Sequence, residues 1–171
     1  MSEPLIRFDN IFKSFGANTV LKGVSLSIYE GQITTIIGKS GTGKSVFLKH
    51  IVGLVKQDSG RILYHGRALD DFSRIERKEL KKRFSYMFQA MALFDSMTVF
   101  ENIALPLVEK TRLSKDEIRA RVEDKIKLLD LVGVDDKYPS QLSGGMKKRV
   151  ALARALVTDP EIVLFDEPTT G

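Results

Sequence analysis

The sequence has no cysteine among its 171 residues, which excludes a disulfide framework and any metal site built on thiolates. It also lacks a long apolar run. Its hydrophobic residues fall in short stretches such as 33–37 and Ile162–Phe165, far short of the roughly 18 consecutive apolar residues that mark a bilayer-crossing helix. Residues 1–12 mix polar and apolar side chains and contain no signal-peptide core, so a cytosolic location is the expectation. No internal repeat and no low-complexity linker is present. Neither sign of charge dominates. There are 27 Lys and Arg against 22 Asp and Glu, a formal net charge of +5, with much of the excess in residues 74–83 and in Lys147, Lys148 and Arg149. Glu76 and Glu79 interrupt the first cluster and no aromatic residues group beside it. A solvated helix face is therefore favoured over a nucleic-acid surface.

What is present is a chain of 43% hydrophobic content, long enough to bury a sizeable core as one domain or a domain with a subdomain. Residues 5–28 alternate apolar and polar, broken by Gly16, Asn18 and Gly23, and predict antiparallel strands with turns. Residues 32–37 form a continuous β-rich run, followed by glycines and then by a helical pattern over 44–54 with Phe47, Leu48, Ile51 and Leu54 on one face. Strand, glycine-rich loop and helix in that order predict a parallel sheet with crossover helices. Further strands are expected at 61–64 and 85–88. From there to about Ala155 the chain reads as helical. Thr98 with Glu101, and Ser114 with Glu117, are capping-box pairs, and Ile118, Val122, Ile126 and Leu129 recur at helical spacing behind the second of them. The run Ile162–Phe165 returns the chain to the sheet.

Three segments carry chemistry. Gly38-Lys39-Ser40-Gly41-Thr42-Gly43-Lys44-Ser45 matches G-x-x-x-x-G-K-[ST] without a mismatch, between an expected strand and an expected helix. Its glycines let backbone N–H groups turn around phosphate oxygens, and the helix adds its positive end. Lys44 would reach the β- and γ-phosphates, and the Ser45 hydroxyl would ligate Mg²⁺. Asp166 and Glu167 follow the last apolar run, where a parallel strand points into the ligand crevice of an α/β sheet. Asp166 would hold Mg²⁺, and Glu167 would polarise an attacking water. Leu142-Ser143-Gly144-Gly145-Met146 opens a helix: Ser143 is a cap, and Gly144 and Gly145 leave N–H groups open to an anion. An ordinary capped helix is the simpler reading of this third segment taken alone.

Together these segments resemble the ABC ATPase family, in which an LSGGQ-type signature precedes the acidic strand end. The resemblance covers essentially the whole chain. It implies an α/β fold with a P-loop NTPase core, an antiparallel β subdomain and an inserted helical subdomain. The expected organisation is core with β subdomain over 1–89, helical subdomain over 90–155, and an incomplete return to the core over 156–171. It further implies ATP and Mg²⁺ as cofactors and a homodimer that sandwiches two nucleotides between residues 38–45 of one subunit and 143–145 of the other. Transmembrane permease subunits are the implied partners, no nucleic acid is expected, and the implied place is the cytoplasmic face of the inner membrane, as a peripheral subunit. Phe15 stands where the family stacks an aromatic on adenine; a buried strand phenylalanine is the alternative. Gln89 stands where a glutamine senses Mg²⁺ and γ-phosphate and couples the core to the helical subdomain.

Two departures are visible. Met146 replaces the usual final glutamine of the signature, and the chain stops at Gly171, before the D-loop and switch histidine of the family. The resemblance thus implies the N-terminal portion of a longer subunit, with the 171 residues alone inactive in hydrolysis. The segments GKSGTGKSVFLKHIVGL and FQAMALFDSMTVFENIALPL, together with LSGGM, resemble the Mla-type phospholipid-trafficking ATPases. The alternatives are an importer of another substrate, a soluble ABC-type ATPase acting on nucleic acid or ribosomes, and a non-catalytic nucleotide-sensing module.

Overall fold

The computed structural model describes residues 3–87 and 92–166, and the chain divides into two units at Lys81 and Lys82. In the first unit the alternating pattern becomes β1 (Ile6–Phe15) and β2 (Asn18–Ile28), an antiparallel pair. They are joined through Gly16, whose φ of 58° is a left-handed turn conformation that glycine adopts without strain. With β3 (Ser59–Tyr64) and the short β4 (Arg67–Ala68) they form an antiparallel sheet of order β2-β1-β3-β4. Ile6, Phe8 and Ile11 of β1 and Ile62 and Tyr64 of β3 are buried. The register between β1 and β3 shifts after Asp9, and there Gly60, at φ 91°, lies so close that a Cβ would come within 2.6 Å of the Asp9 carbonyl oxygen.

The helix after the glycine-rich loop is α1 (Lys44–Ile51), which buries Phe47, His50 and Ile51. The Phe47 ring lies 4.2 Å from that of Phe8, so α1 is seated on the β1 strand. The sequence pattern extends this helix to residue 54, but it stops three residues sooner. Gly53 takes φ 65°, its N–H bonds to His50 O at 3.1 Å and the Leu54 N–H reaches back to Lys49 O at 2.9 Å. These two bonds are a Schellman ending, which satisfies carbonyls the last turn would leave open. Helix α2 (Arg74–Lys82) starts at Ser73, whose N–H bonds to Glu76 Oε2 at 2.8 Å, while Ser73 Oγ accepts from the Glu76 N–H. Arg67 donates to both Glu76 carboxylate oxygens. Arg67 first and the Ser73 donors next hold Glu76 down to a pKa of about 2.

One expected strand is absent. Residues 32–37 form no ladder with any described strand, and Ile33 and Ile37 are 97% and 91% exposed. β-branched content gives a segment its preference for extension, whereas a parallel ladder needs a neighbour from far along the chain, which no local pattern supplies.

In the second unit β5 (Phe84–Met87) and β6 (Ile162–Phe165) pair in parallel, Tyr86 opposite Leu164 and Met87 opposite Phe165. The expected strand at 85–88 begins one residue earlier; Phe88 lies outside the described residues. Among the described residues three α-helices follow between these strands: α3 (Val99–Lys110), α4 (Lys115–Leu128) and α5 (Gly144–Leu156). Thr98 caps α3 and Ser114 caps α4, each in a reciprocal box with the glutamate three residues on. Val99, Ile103, Leu107, Val122, Ile126, Val150 and Ala153 share one core, with Ile118 and Leu129 packed at its margin. Among the described residues no helix is long and apolar enough to cross a membrane.

Candidate functional site

The phosphate-loop segment and α1 belong together physically. Gly41 and Gly43 adopt φ of 79° and 93°, a left-handed backbone open to glycine and strained for other residues. Gly43 precedes the first helical residue and offers no side-chain cap, so the first N–H groups of α1 receive no bond from a capping side chain. A Cβ on Gly43 would lie 2.7 Å from Val20 Cγ1 and 3.1 Å from Leu21 Cδ2, so this turn of the loop rests directly on β2. Thr42 Oγ1 donates to Lys39 O at 2.8 Å. The Lys44 side chain folds back over the loop, its Nζ donating to Gly38 O at 2.9 Å and Lys39 O at 3.0 Å. Ser45, one residue further, is half-buried in the first turn. Gly38, Lys39 and Ser40 are exposed.

Phe15 ends β1 and is 51% exposed, with Lys13 Nζ 5.4 Å from its ring centroid. The buried alternative for this residue is excluded. Lys13 also pairs with Asp58 Oδ1 at 2.7 Å, and the Ser14 N–H bonds to Asp58 Oδ2, which anchors the strand end that carries the ring. The Lys13 and Ser14 donors lower the Asp58 pKa.

In the second unit Ser143 caps α5: its Oγ accepts from the Met146 N–H at 3.3 Å. Gly144 and Gly145 are exposed, and a Cβ on either would meet nothing within 4 Å. No acidic residue occupies the first turn, so the positive end of the helix is not offset from within it. Asp166 follows β6 directly, its N–H bonded to Met87 O at 3.2 Å. Its carboxylate accepts a hydrogen bond from the Tyr86 hydroxyl, Oδ2 at 2.7 Å. Burial, then this bond, raises the Tyr86 pKa well above the usual phenol range. Sequence reasoning missed Tyr86, because its meeting with Asp166 depends on a pairing across 80 positions. Gln89 and Glu167 lie outside the described residues. Among the described residues no group of three or more His, Cys, Asp or Glu could hold a metal ion.

Residues 21–170 match the family described as ABC transporter. The probable ribonucleotide transport ATP-binding protein mkl of Mycobacterium leprae is 44% identical over 97% of this chain and 48% of its own length. The protein TRIGALACTOSYLDIACYLGLYCEROL 3, chloroplastic, of Arabidopsis thaliana is 42% identical over 99% of this chain and 51% of its own. The chain thus spans about half the length of these curated relatives. Among solved structures, cbiO1 of Clostridium perfringens, part of the cbiONQ transporter complex, superposes with a TM-score of 0.89 at 32% identity, covering 99% of this chain and 68% of that one. The dimeric ATP-binding cassette MJ0796, in a post-hydrolysis state with ADP and Pi, gives 0.82 at 35% identity, covering 96% and 74%. The chain belongs to the ABC transporter family, and its architecture is the P-loop NTPase cassette of that family, with antiparallel β and helical subdomains.

Proposed function

We propose that the chain is the ATP-binding and ATP-hydrolysing part of a transporter's energising subunit. The observation that carries this reading is the loop 38–45 itself. Left-handed glycines turn its backbone, β2 supports it, and Lys44 brings an ammonium against it. Such a loop binds polyphosphate through backbone N–H groups and one point charge. Phe15, exposed at a strand end, stacks on the adenine ring, and Ser143, Gly144 and Gly145 cap the nucleotide of a second copy of the subunit.

The donor set suits magnesium. The Ser45 hydroxyl and the Asp166 carboxylate are hard oxygen ligands, and few protein ligands are needed, because Mg²⁺ keeps water and takes the rest of its shell from phosphate. Gln89 completes the proposed set. When bound, Mg²⁺ neutralises charge on the phosphate oxygens. Glu167 accepts a proton from the attacking water, and Lys44 holds the γ-phosphate in place. Residues 1–89 and 156–171 form the nucleotide-handling core in this reading, and 90–155 the subdomain that meets permease subunits at the cytoplasmic face of the membrane.

For the transported substrate we propose phospholipid. The segments around the phosphate loop and after Gln89 resemble lipid-trafficking ATPases, and the chloroplast relative bears a glycolipid's name. The mycobacterial relative, named for ribonucleotide transport, supports the alternative of another substrate. Deleting the gene should sensitise the cell envelope to detergent and leave nutrient uptake intact; a specific uptake defect with a normal envelope favours the importer.

Lys44→Ala in the intact protein tests the core of the reading. It should abolish ATP turnover and weaken ATP binding, because it deletes the cation beside the phosphates. Turnover within about twofold of the wild type would remove Lys44 from the site.

A further inference from the structure

The pairing of β5 with β6 does more than close a sheet. In a parallel pair, residues in register point to the same face, and along a strand the same face returns every second residue. Tyr86 is in register with Leu164, so Tyr86, Leu164 and Asp166 share one face, with Asp166 two residues beyond the paired position. At about 3.3 Å per residue, that offset lies within reach of a phenol. The Tyr86 hydroxyl makes the contact, at 2.7 Å from Asp166 Oδ2.

We propose that Tyr86 is a positioning residue for the Asp166 carboxylate, orienting it toward magnesium; the proposal rests on the reading of Asp166 given above. A carboxylate at a strand end rotates in a broad torsional well. A hydrogen bond to one oxygen fixes that rotation and thereby the direction of the other. A phenol suits this task because it is neutral: it orients the carboxylate while leaving its negative charge for a cation, whereas a lysine in its place would offset that charge. Groups that orient metal ligands in this way set metal affinity without touching the metal. The backbone contributes to the same end, since the Asp166 N–H is tied to Met87 O on the neighbouring strand.

The test is Tyr86→Phe in the intact protein, which keeps the ring and removes only the hydroxyl. Binding of a non-hydrolysable fluorescent ATP analogue is followed as Mg²⁺ is added back from EDTA. The half-saturating Mg²⁺ concentration should rise about tenfold, with analogue affinity in EDTA unchanged. In an Asp166→Asn background the same substitution should have no further effect on the Mg²⁺ requirement. A hydroxyl with a structural role alone would instead lower the melting temperature and weaken the analogue equally with and without Mg²⁺. That result, or a Mg²⁺ requirement within twofold of the wild type, overturns the role of Tyr86 and leaves Asp166 as a ligand. If Asp166→Asn itself leaves the Mg²⁺ requirement unchanged, the reading of Asp166 fails, and the role of Tyr86 falls with it.

Discussion

Gly43 shows how much of the site rests on a single hydrogen atom in place of a methyl group. Its φ of 93° is a conformation L side chains rarely adopt, and a Cβ there would press into Val20 and Leu21 of β2. Alanine at this position meets both penalties at once, strain of about 1–3 kcal/mol and a contact that moves β2 or the loop. Gly144, with open space where a Cβ would go, provides the comparison: it opens α5, and alanine favours a helix. Gly43→Ala should therefore lower the melting temperature and reduce ATP binding, while Gly144→Ala leaves the melting temperature unchanged or raises it. Equal melting temperatures for the two variants would show that the loop yields to a Cβ at little cost. In the proposed site Thr42, Lys44 and Ser45 act through atoms they carry, but Gly43 acts through what it lacks.

At the scale of elements, α1 joins the phosphate loop to a buried histidine. His50 is 1% exposed; its Nδ1 lies 2.7 Å from Val46 O, which fits an Nδ1–H tautomer donating to that carbonyl, and its Nε2 has no partner among the described residues. Protonation would place a charge in this setting. Burial lowers the His50 pKa most, against the Val46 bond, which raises it; Lys13 lowers it further and Asp58 raises it. A base whose pKa is lowered on folding binds more protons unfolded. Its contribution to stability is therefore complete above the unfolded value of 6.5 and declines as pH falls from there toward the lowered folded value. The carboxylates held down in the fold, Asp58, Glu76 and Glu117, lose their contribution only below the ordinary carboxylate range. Melting temperature should thus fall between pH 7 and pH 5 in the wild type and stay flatter over that interval in His50→Gln; parallel curves would contradict this account. Elements were legible in the sequence where their causes are local. The capping boxes at Thr98 and Ser114, the cap at Ser143 and the strand at Ile162–Phe165 all depend on residues within a few positions of one another. The end of α1 at Ile51 was missed although Gly53 marks it, because the apolar face continues to Leu54. Residues 32–37 carry strand propensity without a ladder, and the Tyr86 to Asp166 contact follows from a strand register that no local pattern encodes. The phosphate loop was legible as a candidate site because its motif is defined by spacing. Phe15 was legible as a candidate, and only the structure decided between a buried ring and an exposed one.

For the whole molecule, the open N-terminal end of α5 and the phosphate loop pose one question, since a single nucleotide needs one phosphate cradle and the chain offers two sets of N–H donors. In the proposed sandwich the second set serves the nucleotide of another copy, so ATP itself joins the two subunits and its hydrolysis releases them. Replacing the proposed base separates these two events. Glu167→Gln conserves side-chain size and removes the group that accepts the proton from water, so the intact variant should bind ATP, turn it over slowly or not at all, and accumulate as a dimer. Light scattering behind gel filtration should give twice the subunit mass with ATP and Mg²⁺, and the single-subunit mass with ADP. Adding Lys44→Ala to the same chain should abolish the ATP-dependent dimer, because the nucleotide that joins the copies is then held weakly. A Glu167→Gln protein that binds ATP and stays monomeric at every concentration tested would show that the α5 end does not meet a second copy's nucleotide, and the sandwich would have to be abandoned.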